Sequence, residues 1–245
     1  MRGVDASSTH EPTENTEPTI ELDDVTVVLG DRRVVDAISL RVTEHRLGIV
    51  GANGSGKSTL ARVIGGLVTA TSGRVRVAGL DPVRDGRAAR DRIGFCFSDP
   101  DAQIVMPTVR EDVAFSLRRS GLDPAGRAAK VEGALERFGL SHLADAAAHR
   151  LSSGEKQLLA LAATLVREPS LVICDEPTTL LDLRNATEMA RVLYSLPEQL
   201  VIVSHDLALL RGCERVIRLD DGVLTDDGDP ESVLQRYRRD MARLT

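Results

Sequence analysis

The stretch best suited to chemistry lies at residues 51–58, where GANGSGKS fits the pattern G-x-x-x-x-G-K-[ST]. Glycines let successive backbone N–H groups turn toward phosphate oxygens, and a following helix presents its positive end to the same anion. We expect Lys57 to reach the β- and γ-phosphates of a nucleotide, Ser58 to ligate Mg²⁺, and Thr59 to hydrogen-bond the α-phosphate. The predicted nucleotide-binding residues are Gly51, Asn53, Gly54, Ser55, Gly56, Lys57, Ser58 and Thr59.

Two acids and a histidine follow later hydrophobic runs. The run at 171–174 ends in Asp175 and Glu176, and the run at 201–203 is followed by Ser204 and His205. Ligands of an open parallel sheet lie beyond the carboxyl ends of its strands, so these side chains are expected near the glycine-rich loop. Asp175 would hold Mg²⁺ through water, Glu176 would act as general base on the attacking water, and His205 would contact the γ-phosphate.

A second candidate anion site occupies residues 151–157, LSSGEKQ, in front of a predicted helix. Ser152 and Glu155 have the S-x-x-E spacing of a capping box, which by itself only begins a helix. The small residues Ser153 and Gly154 at a helix N-terminus also suit an anion. The residues alone leave both interpretations open.

Hydrophobic periodicity predicts the elements that must position these groups. Strands are expected at 19–22, 25–29, 34–42, 46–50, 73–78, 93–97, 171–174, 200–203, 216–219 and 223–225, and helices at 58–66, 108–119, 124–138, 154–167 and 231–244. The later strands are short and continuously hydrophobic, as expected for strands covered on both faces. The fold class is therefore α/β with an inserted helical segment.

Composition narrows the function further. Of the 245 residues 42% are hydrophobic, and the net charge of −6 without a long basic run argues against nucleic acid as the substrate. Cys96, Cys174 and Cys213 form no CxxC pair, which argues against a disulfide framework or a zinc site and suits a reducing cytosol. No stretch of about 18 apolar residues is present, so the chain is not expected to span a membrane, and if it serves one it would do so by docking to a protein that does.

Together, the motifs at 51–59, 151–157, 171–176, 179–182 and 204–206 resemble those of ATP-binding cassette ATPases. The resemblance implies a P-loop NTPase with a RecA-like core, an antiparallel β subdomain and an inserted helical subdomain. It also implies that Ser152, Ser153, Gly154 and Glu155 are a signature motif completing the site of a partner subunit, so that two ATP molecules are sandwiched in a head-to-tail dimer. Asp182 matches the loop that couples the two sites.

The predicted division of the chain follows from this resemblance and from composition. Residues 1–18, rich in Ser, Thr, Glu and Pro, are expected to be a disordered tail. Residues 19–245 would form one ATPase domain. Its core would comprise 19–97 and 168–228, its helical subdomain 98–167, and its C-terminal helix 229–245.

A narrower resemblance is carried by residues 97–115, FSDPDAQIVMPTVREDVAF. This stretch is similar to the energy-coupling-factor branch, where F-Q-N-P-D-x-Q-[IL]-x-x-P-T-V-x-E-D-V-A-F is typical. Those importers combine a pair of ATPases, a transmembrane coupling protein and a membrane-embedded vitamin- or metal-binding protein. The QIVMPT run most resembles biotin-type members, in preference to cobalt or nickel types. Four acids, Asp99, Asp101, Glu111 and Asp112, are expected either to receive arginines from a coupling helix or to form a solvated acidic face.

Three positions depart from the family pattern. Ser98 stands where the family has a glutamine that ligates Mg²⁺, so that the metal contact would come from Ser98 through water or from Gln103 instead. Leu29 stands near the position of an adenine-stacking aromatic, and losing that stacking would weaken nucleotide binding by roughly 1 kcal/mol. Ser153 replaces the first glycine of the signature motif and is expected to crowd the phosphate.

The sequence thus predicts an Mg²⁺-dependent ATPase subunit of an energy-coupling-factor importer, bound peripherally at the cytoplasmic face of the membrane. It would drive uptake of a vitamin, with biotin as the leading candidate, or of a metal ion, and its second ATPase subunit would be identical or different. One alternative is a soluble, non-transport ATPase of the same family, acting in iron–sulfur assembly or in DNA maintenance. The DNA-maintenance role is disfavoured, because such relatives carry coiled coils or basic surfaces and this sequence has neither. Another is a weakly hydrolysing regulatory subunit, which Ser98 favours.

Overall fold

The computed structural model describes residues 19–243, and the predicted disordered tail and the last two residues lie outside them. The strands are β1 (Ile20–Leu29), β2 (Arg32–Val42), β3 (Arg46–Val50), β4 (Ser72–Val77), β5 (Ile93–Cys96), β6 (Leu171–Asp175), β7 (Gln199–Val203), β8 (Arg215–Asp220) and β9 (Val223–Gly228). The helices are α1 (Lys57–Ile64), α2 (Gly86–Arg92), α3 (Val109–Ser116), α4 (Pro124–Arg137), α5 (Ser153–Leu165), α6 (Leu183–Ser195), α7 (Leu207–Leu210) and α8 (Pro230–Met241).

These strands form two sheets. A three-stranded antiparallel sheet has the order β2-β1-β4, and a six-stranded sheet has the order β5-β6-β7-β3-β8-β9. The pairings of β5, β6, β7, β3 and β8 are parallel, while β9 pairs with β8 in antiparallel fashion. The predicted α/β class is confirmed.

The six-stranded sheet lies between two hydrophobic cores, and alternate residues of β6 enter different ones. Leu171 and Ile173 belong to the core shared with the antiparallel sheet and α1. Val172 and Cys174 belong to the core shared with α3, α4 and α5. Strands buried on both faces are therefore continuously hydrophobic, as the sequence indicated.

Between β5 and β6 the chain is helical, as predicted, with short 3₁₀ turns at Pro100–Ala102, Ser141–Leu143 and Ala148–Arg150. The predicted helices at 108–119, 124–138 and 154–167 correspond to α3, α4 and α5, each somewhat shorter than expected. Sequence periodicity missed α2, α6 and α7. In α2 only Ala89 is buried, so no hydrophobic repeat exists to indicate a helix. The predicted subdomain boundaries remain predictions.

Across residues 19–243, no helix has the length and hydrophobicity needed to cross a membrane.

Candidate functional site

The predicted site residues follow three adjacent strands of the six-stranded sheet. The strand order places β6, β7 and β3 side by side and parallel. The glycine-rich loop follows β3, Asp175 ends β6 with Glu176 directly after it, and Ser204 and His205 follow β7. Parallel alignment therefore brings residues far apart in sequence to one edge of the sheet.

The glycine-rich loop requires glycine for packing as well as for conformation. At Gly56 φ is +99°, and a Cβ would lie 2.3 Å from the carbonyl oxygen of Val34. At Gly51 a Cβ would lie 2.2 Å from the carbonyl oxygen of Leu219. A side chain at either position would displace backbone of β2 or β8, so the loop depends on these two glycines.

Lys57 is buried inside the loop at the beginning of α1. Its Nζ donates to the carbonyl oxygens of Gly51 and Ala52, each at 2.9 Å. Burial lowers the pKa of the Lys57 ammonium, while the nearby charges of Glu176 and Asp175 act in the opposite direction. Among the described residues, Ser55 has a buried Oγ without a hydrogen-bond partner. A buried cation and an unpartnered hydroxyl beside turned backbone amides fit a phosphate ligand.

Ser58 and Asp175 join the loop to β6. Ser58 Oγ donates to Asp175 Oδ1 at 2.8 Å, and Arg62 of α1 lies 3.9 Å from Asp175 Oδ2. Asp175 is only 2% exposed, and this burial raises its pKa against the opposing effects of Ser58 and Arg62. A hydroxyl and a carboxylate side by side are hard oxygen ligands of the kind that Mg²⁺ takes, so this pair fits the predicted metal.

Glu176 is held by residues from two loops. Its Oε2 accepts hydrogen bonds from Thr179 Oγ1 at 3.0 Å and from the backbone N–H of His205 at 3.3 Å, and it lies 2.7 Å from His205 Nδ1. Its backbone has φ of +54°, and its amide donates to Val203 of β7 at 2.8 Å. The side chain of Glu176 is 16% exposed and that of His205 is 58% exposed, so the pair opens to solvent at the sheet edge.

The segment Ser152–Glu155 begins α5 and does form the predicted capping box. Ser152 N donates to Glu155 Oε2 at 2.7 Å, and Ser152 Oγ accepts from Glu155 N. Hydrogen bonding to Ser152 lowers the pKa of the Glu155 carboxyl. A Cβ on Gly154 would lie 3.2 Å from the side chain of Asn185, and the backbone N–H of Asn185 donates to Asp182 Oδ1 at 2.8 Å. The predicted signature and coupling loops are therefore neighbours within one chain.

Gln103 does not fit the metal-ligating role that the sequence offered for it. Its Oε1 accepts from Phe97 N at 3.1 Å, and its Nε2 donates to Ala160 O at 3.1 Å and to Thr164 Oγ1 at 3.0 Å. This amide ties the segment after β5 to α5, so its hydrogen-bonding capacity is used within the protein. Ser98 is half-buried just beyond β5.

The four acids expected either to receive arginines or to form a solvated face also make contacts within the chain. Asp99 caps a 3₁₀ turn by accepting from the amide of Asp101, Asp101 pairs with Lys156 at 2.7 Å, and Glu111 belongs to the capping box of α3. Asp112 is buried and accepts from the amides at 105 and 106, while burial raises its pKa. For Asp112 the expectation of an exposed acid was wrong, because its carboxylate is buried. Asp99, Asp101 and Glu111 are exposed, and their role as arginine acceptors stays a prediction.

Several contacts at the sheet edge were not predicted. Arg62 reaches Asp175, Thr179 binds Glu176, and Ser204, fully buried, lies 3.5 Å from Glu176 through its Oγ. Arg32 Nη2 approaches the carbonyl oxygen of Gly54 at 3.4 Å. Thr179 and Ser204 lie in the motifs that the sequence indicated, whereas only the fold brings Arg62 and Arg32 to the site. Leu29, in the position noted for adenine, is 53% exposed.

Comparisons with known proteins agree with this architecture. The family model described as ABC transporter matches residues 35–179. The biotin transport ATP-binding protein BioM of Rhizobium etli is 42% identical over 219 residues, which are 89% of this chain and 97% of that protein. The energy-coupling factor transporter ATP-binding protein EcfA1 of Bacillus subtilis is 35% identical over 221 residues, which are 88% of this chain and 78% of that protein.

Solved structures of ATP-binding cassette proteins have a similar fold. The cbiO1 protein from Clostridium perfringens, part of the ABC transporter complex cbiONQ, superposes with a TM-score of 0.81 at 30% identity, covering 90% of this chain and 92% of that one. The ATP-binding cassette MJ0796, solved as a dimer in a post-hydrolysis state with ADP and Pi, gives a TM-score of 0.73 at 28% identity, covering 86% and 98%.

Proposed function

This chain belongs to the ABC transporter family as an ATP-binding cassette ATPase, and we propose that it drives an energy-coupling-factor importer. The transported solute proposed is biotin, because the relatives named for biotin transport align over nearly their whole length. The partners are a second cassette ATPase, a transmembrane coupling protein and a membrane-embedded solute-binding protein. In this assembly the chain lies peripherally at the cytoplasmic face of the membrane.

The observation that carries the proposal is the shared edge of β3, β6 and β7. A phosphate-binding loop, a hydroxyl–carboxylate pair and a carboxylate–histidine pair meet there from three separate strand ends. Phosphoryl transfer needs these three functions: a cradle for the phosphates, oxygen ligands for Mg²⁺, and a group that orients water. The edge therefore supports ATP hydrolysis better than it supports nucleotide storage alone.

Binding of ATP exchanges internal contacts for phosphate contacts. Lys57 would leave the carbonyl oxygens of Gly51 and Ala52 and donate to the β- and γ-phosphates, while Ser55 Oγ would gain a partner. Ser58 directly and Asp175 through water would hold Mg²⁺. When bound, Mg²⁺ would offset the negative charge on the β- and γ-phosphate oxygens.

Glu176 and His205 divide the chemical step between them. Among the described residues, the hydrogen bonds to the Glu176 carboxylate converge on Oε2, which leaves Oε1 to accept a proton from the attacking water. Since His205 contacts Glu176 through Nδ1, its Nε2 is the nitrogen that would reach the γ-phosphate. The water attacks phosphorus, the bond to the β-phosphate oxygen breaks, and ADP and phosphate leave.

The segment from Ser152 to Glu155 is proposed to act on a partner's nucleotide. It lies at the beginning of α5 and presents a helix N-terminus to solvent, with Ser152 and Glu155 exposed. Two such subunits arranged head to tail would enclose two ATP molecules. The dimeric state of the similar cassette MJ0796 supports this arrangement.

A second candidate function is a weakly hydrolysing subunit that binds ATP and leaves turnover to a different partner. Ser98 favours it, because a serine hydroxyl could reach the metal only through water, whereas the glutamine that the resemblance implies at this position ligates it directly. The two functions differ in the turnover of the purified complex.

The test is uptake of labelled biotin by host cells that lack this chain. Wild-type protein should restore ATP-dependent uptake, and Lys57→Ala should not, because loss of a charged phosphate contact weakens ATP binding about 100-fold. Arg74→Ala, which removes an exposed cation of β4, is the matched control and should restore uptake fully. If cobalt or nickel uptake responds while biotin uptake does not, the solute proposed is wrong; if neither responds, the transport function is wrong.

A further inference from the structure

Arg32 stands where the hairpin of β1 and β2 meets the glycine-rich loop. It pairs with Leu29 across the hairpin, so the turn between the two strands is short. From this position Arg32 Nη2 donates to the carbonyl oxygen of Gly54 at 3.4 Å. A tight hairpin turn fixes the register of its strands, and Arg32 is therefore held at a defined place beside the loop.

The hairpin packs tightly against one side of the loop and leaves the other side open. A Cβ on Gly56 would lie 2.3 Å from the carbonyl oxygen of Val34, a residue of the same strand as Arg32. Gly54, in contrast, is exposed, and a Cβ there would meet no atom within 4 Å. A nucleotide whose phosphates occupy the loop therefore has the end of the hairpin within reach of its ribose and base.

The charge of Arg32 is not neutralised within the part of the chain that the structure describes. Its side chain is exposed, and no ion pair between residues 19 and 243 involves it. The neighbouring Arg33, in contrast, pairs with Asp36 at 2.8 Å. Leu29, opposite Arg32 in the hairpin, is 53% exposed. The end of the hairpin thus presents an aliphatic surface next to an unpaired guanidinium.

We propose that Arg32 stacks its guanidinium on the nucleobase of ATP, in place of the aromatic side chain that Leu29 does not supply. A guanidinium is planar, so an edge that donates to Gly54 leaves a face available for stacking. The π-face of an aromatic ring attracts cations, and Arg contributes to the binding of bases in this way. The proposal rests on the proposed function, because it requires ATP in the glycine-rich loop.

The first experiment measures the affinities of the full-length chain for ATP and for inorganic tripolyphosphate by calorimetry. Tripolyphosphate has phosphates but no base, so the ratio of the two affinities isolates the contribution of the base and ribose. Arg32→Ala should lower that ratio about threefold, the effect of an exposed cation–π contact. An equal loss of affinity for the two ligands would show that Arg32 acts on the phosphates by charge alone, which overturns the proposal.

The second experiment is a double-mutant cycle with Leu29→Tyr. Residues paired across a hairpin lie on the same side of the sheet, so a tyrosine at position 29 and Arg32 would compete for the same face of the base. Leu29→Tyr should therefore raise the affinity ratio more in Arg32→Ala protein than in the parent, and should restore the ratio that Arg32→Ala loses. The same gain in both backgrounds would show that Arg32 does not contact the base.

GTP shows which part of the base is bound. Stacking uses the ring face, so Arg32→Ala should lower the affinity for GTP by the same factor as the affinity for ATP. A loss confined to ATP would mean that Arg32 binds the edge of adenine by hydrogen bonds, which contradicts stacking. Arg33→Ala is the matched control, because it removes the adjacent arginine, already paired with Asp36, and should leave the affinity ratio unchanged.

Lys57→Ala distinguishes failure of this inference from failure of the proposed function. It removes the cation buried in the loop and should weaken the binding of ATP and of tripolyphosphate together. If Lys57→Ala weakens both while Arg32→Ala leaves their ratio unchanged, the stacking alone is wrong. If Lys57→Ala weakens neither, the loop does not hold the phosphates, and the proposed function is wrong as well.

Discussion

The carboxyl edge of β3, β6 and β7 and the beginning of α5 both present groups suited to phosphate, yet they are organised differently. At the strand ends, side chains from separate elements already contact one another, as Ser58 does Asp175 and His205 does Glu176. At the beginning of α5, Ser152 and Glu155 are hydrogen-bonded to each other. The strand ends thus bring together side chains from several elements, whereas the beginning of α5 offers only the backbone N–H groups and side chains of one helix N-terminus. In the proposed head-to-tail dimer, these two regions would be the two halves of one site, each on a different subunit.

The largest effect is expected at Glu176, one of the side chains assembled at the strand ends. Glu176→Gln keeps the hydrogen bond to Thr179 but cannot take a proton from water, so kcat should fall about 10³-fold with ATP still bound. Single-turnover hydrolysis and size-exclusion chromatography with ATP would show a stable dimer holding uncleaved nucleotide. Glu188→Gln, on the exposed side of α6, is the control and should hydrolyse normally. Normal turnover by Glu176→Gln would remove the general base from this position.

Mixing two inactive variants tests whether the halves belong to different chains. Lys57→Ala disables the loop, and Gly154→Asp places an anionic side chain against Asn185 at the beginning of α5. Each variant alone should lack ATPase activity. In a head-to-tail dimer formed from an equal mixture, one site of each mixed dimer is intact, so activity should return to about a quarter of the parent's.

The control for that mixture is Gly133→Asp, whose side chain would project from α4 into open space and should leave the protein active alone. A mixture of Lys57→Ala and Gly154→Asp that stays inactive would mean that the second half comes from a different protein. Activity in Gly154→Asp alone would mean that the beginning of α5 takes no part in the site.

Without bound nucleotide, the buried charge of Asp175 at the strand ends should lower the stability of the folded protein. Burial raises the pKa of Asp175, so the native state holds its proton more tightly than the unfolded chain does. The charged form therefore costs stability above the native pKa, and this cost disappears as pH falls below the unfolded value of about 3.9. Nucleotide-free Asp175→Asn should melt a few degrees above the parent near neutral pH, with the difference closing in acid.

Thermal melting across a pH series measures this effect. Asp229→Asn is a control of opposite sign, because hydrogen bonds from Ser232 lower the pKa of Asp229 and its charge favours the folded state. A neutral-pH melting temperature of Asp175→Asn below that of the parent would show that the Ser58 and Arg62 contacts outweigh burial.

The smallest effect is expected at Ser98, just beyond β5. Ser98→Gln lengthens a half-buried side chain beyond β5 and should raise the ATPase rate of the purified subunit several-fold. Ser141→Gln, in an exposed 3₁₀ turn, is the control and should leave the rate unchanged. A rate that is unchanged or lower in Ser98→Gln would show that serine is favoured there for another reason.

The sequence predicted the groups at the strand ends well, because each of them lies in a short motif that can be recognised locally. The glycine-rich loop, Asp175 with Glu176, and His205 each follow a hydrophobic run directly, and parallel pairing of those runs brings them together. Arg62 was missed because its contact with Asp175 depends on the orientation of α1, which no local pattern encodes.

The helical segment was predicted less well for the opposite reason. Asp112 was expected at the surface, yet it is buried and accepts hydrogen bonds from the backbone amides at 105 and 106, which only the folded loop supplies. Similarly, α6 buries only Met189 and Leu193, which leaves too sparse a repeat for a prediction.

The alternation along β6 has a mechanical consequence. Cys174 packs against the helices, and the very next residue is Asp175, so a shift of α5 against that thiol would strain the peptide unit that carries the acid. Ile173, one residue earlier, is anchored on the opposite side of the sheet. A displacement of the helices against Cys174 would therefore reach the peptide unit of Asp175 directly, through one covalent step along the strand.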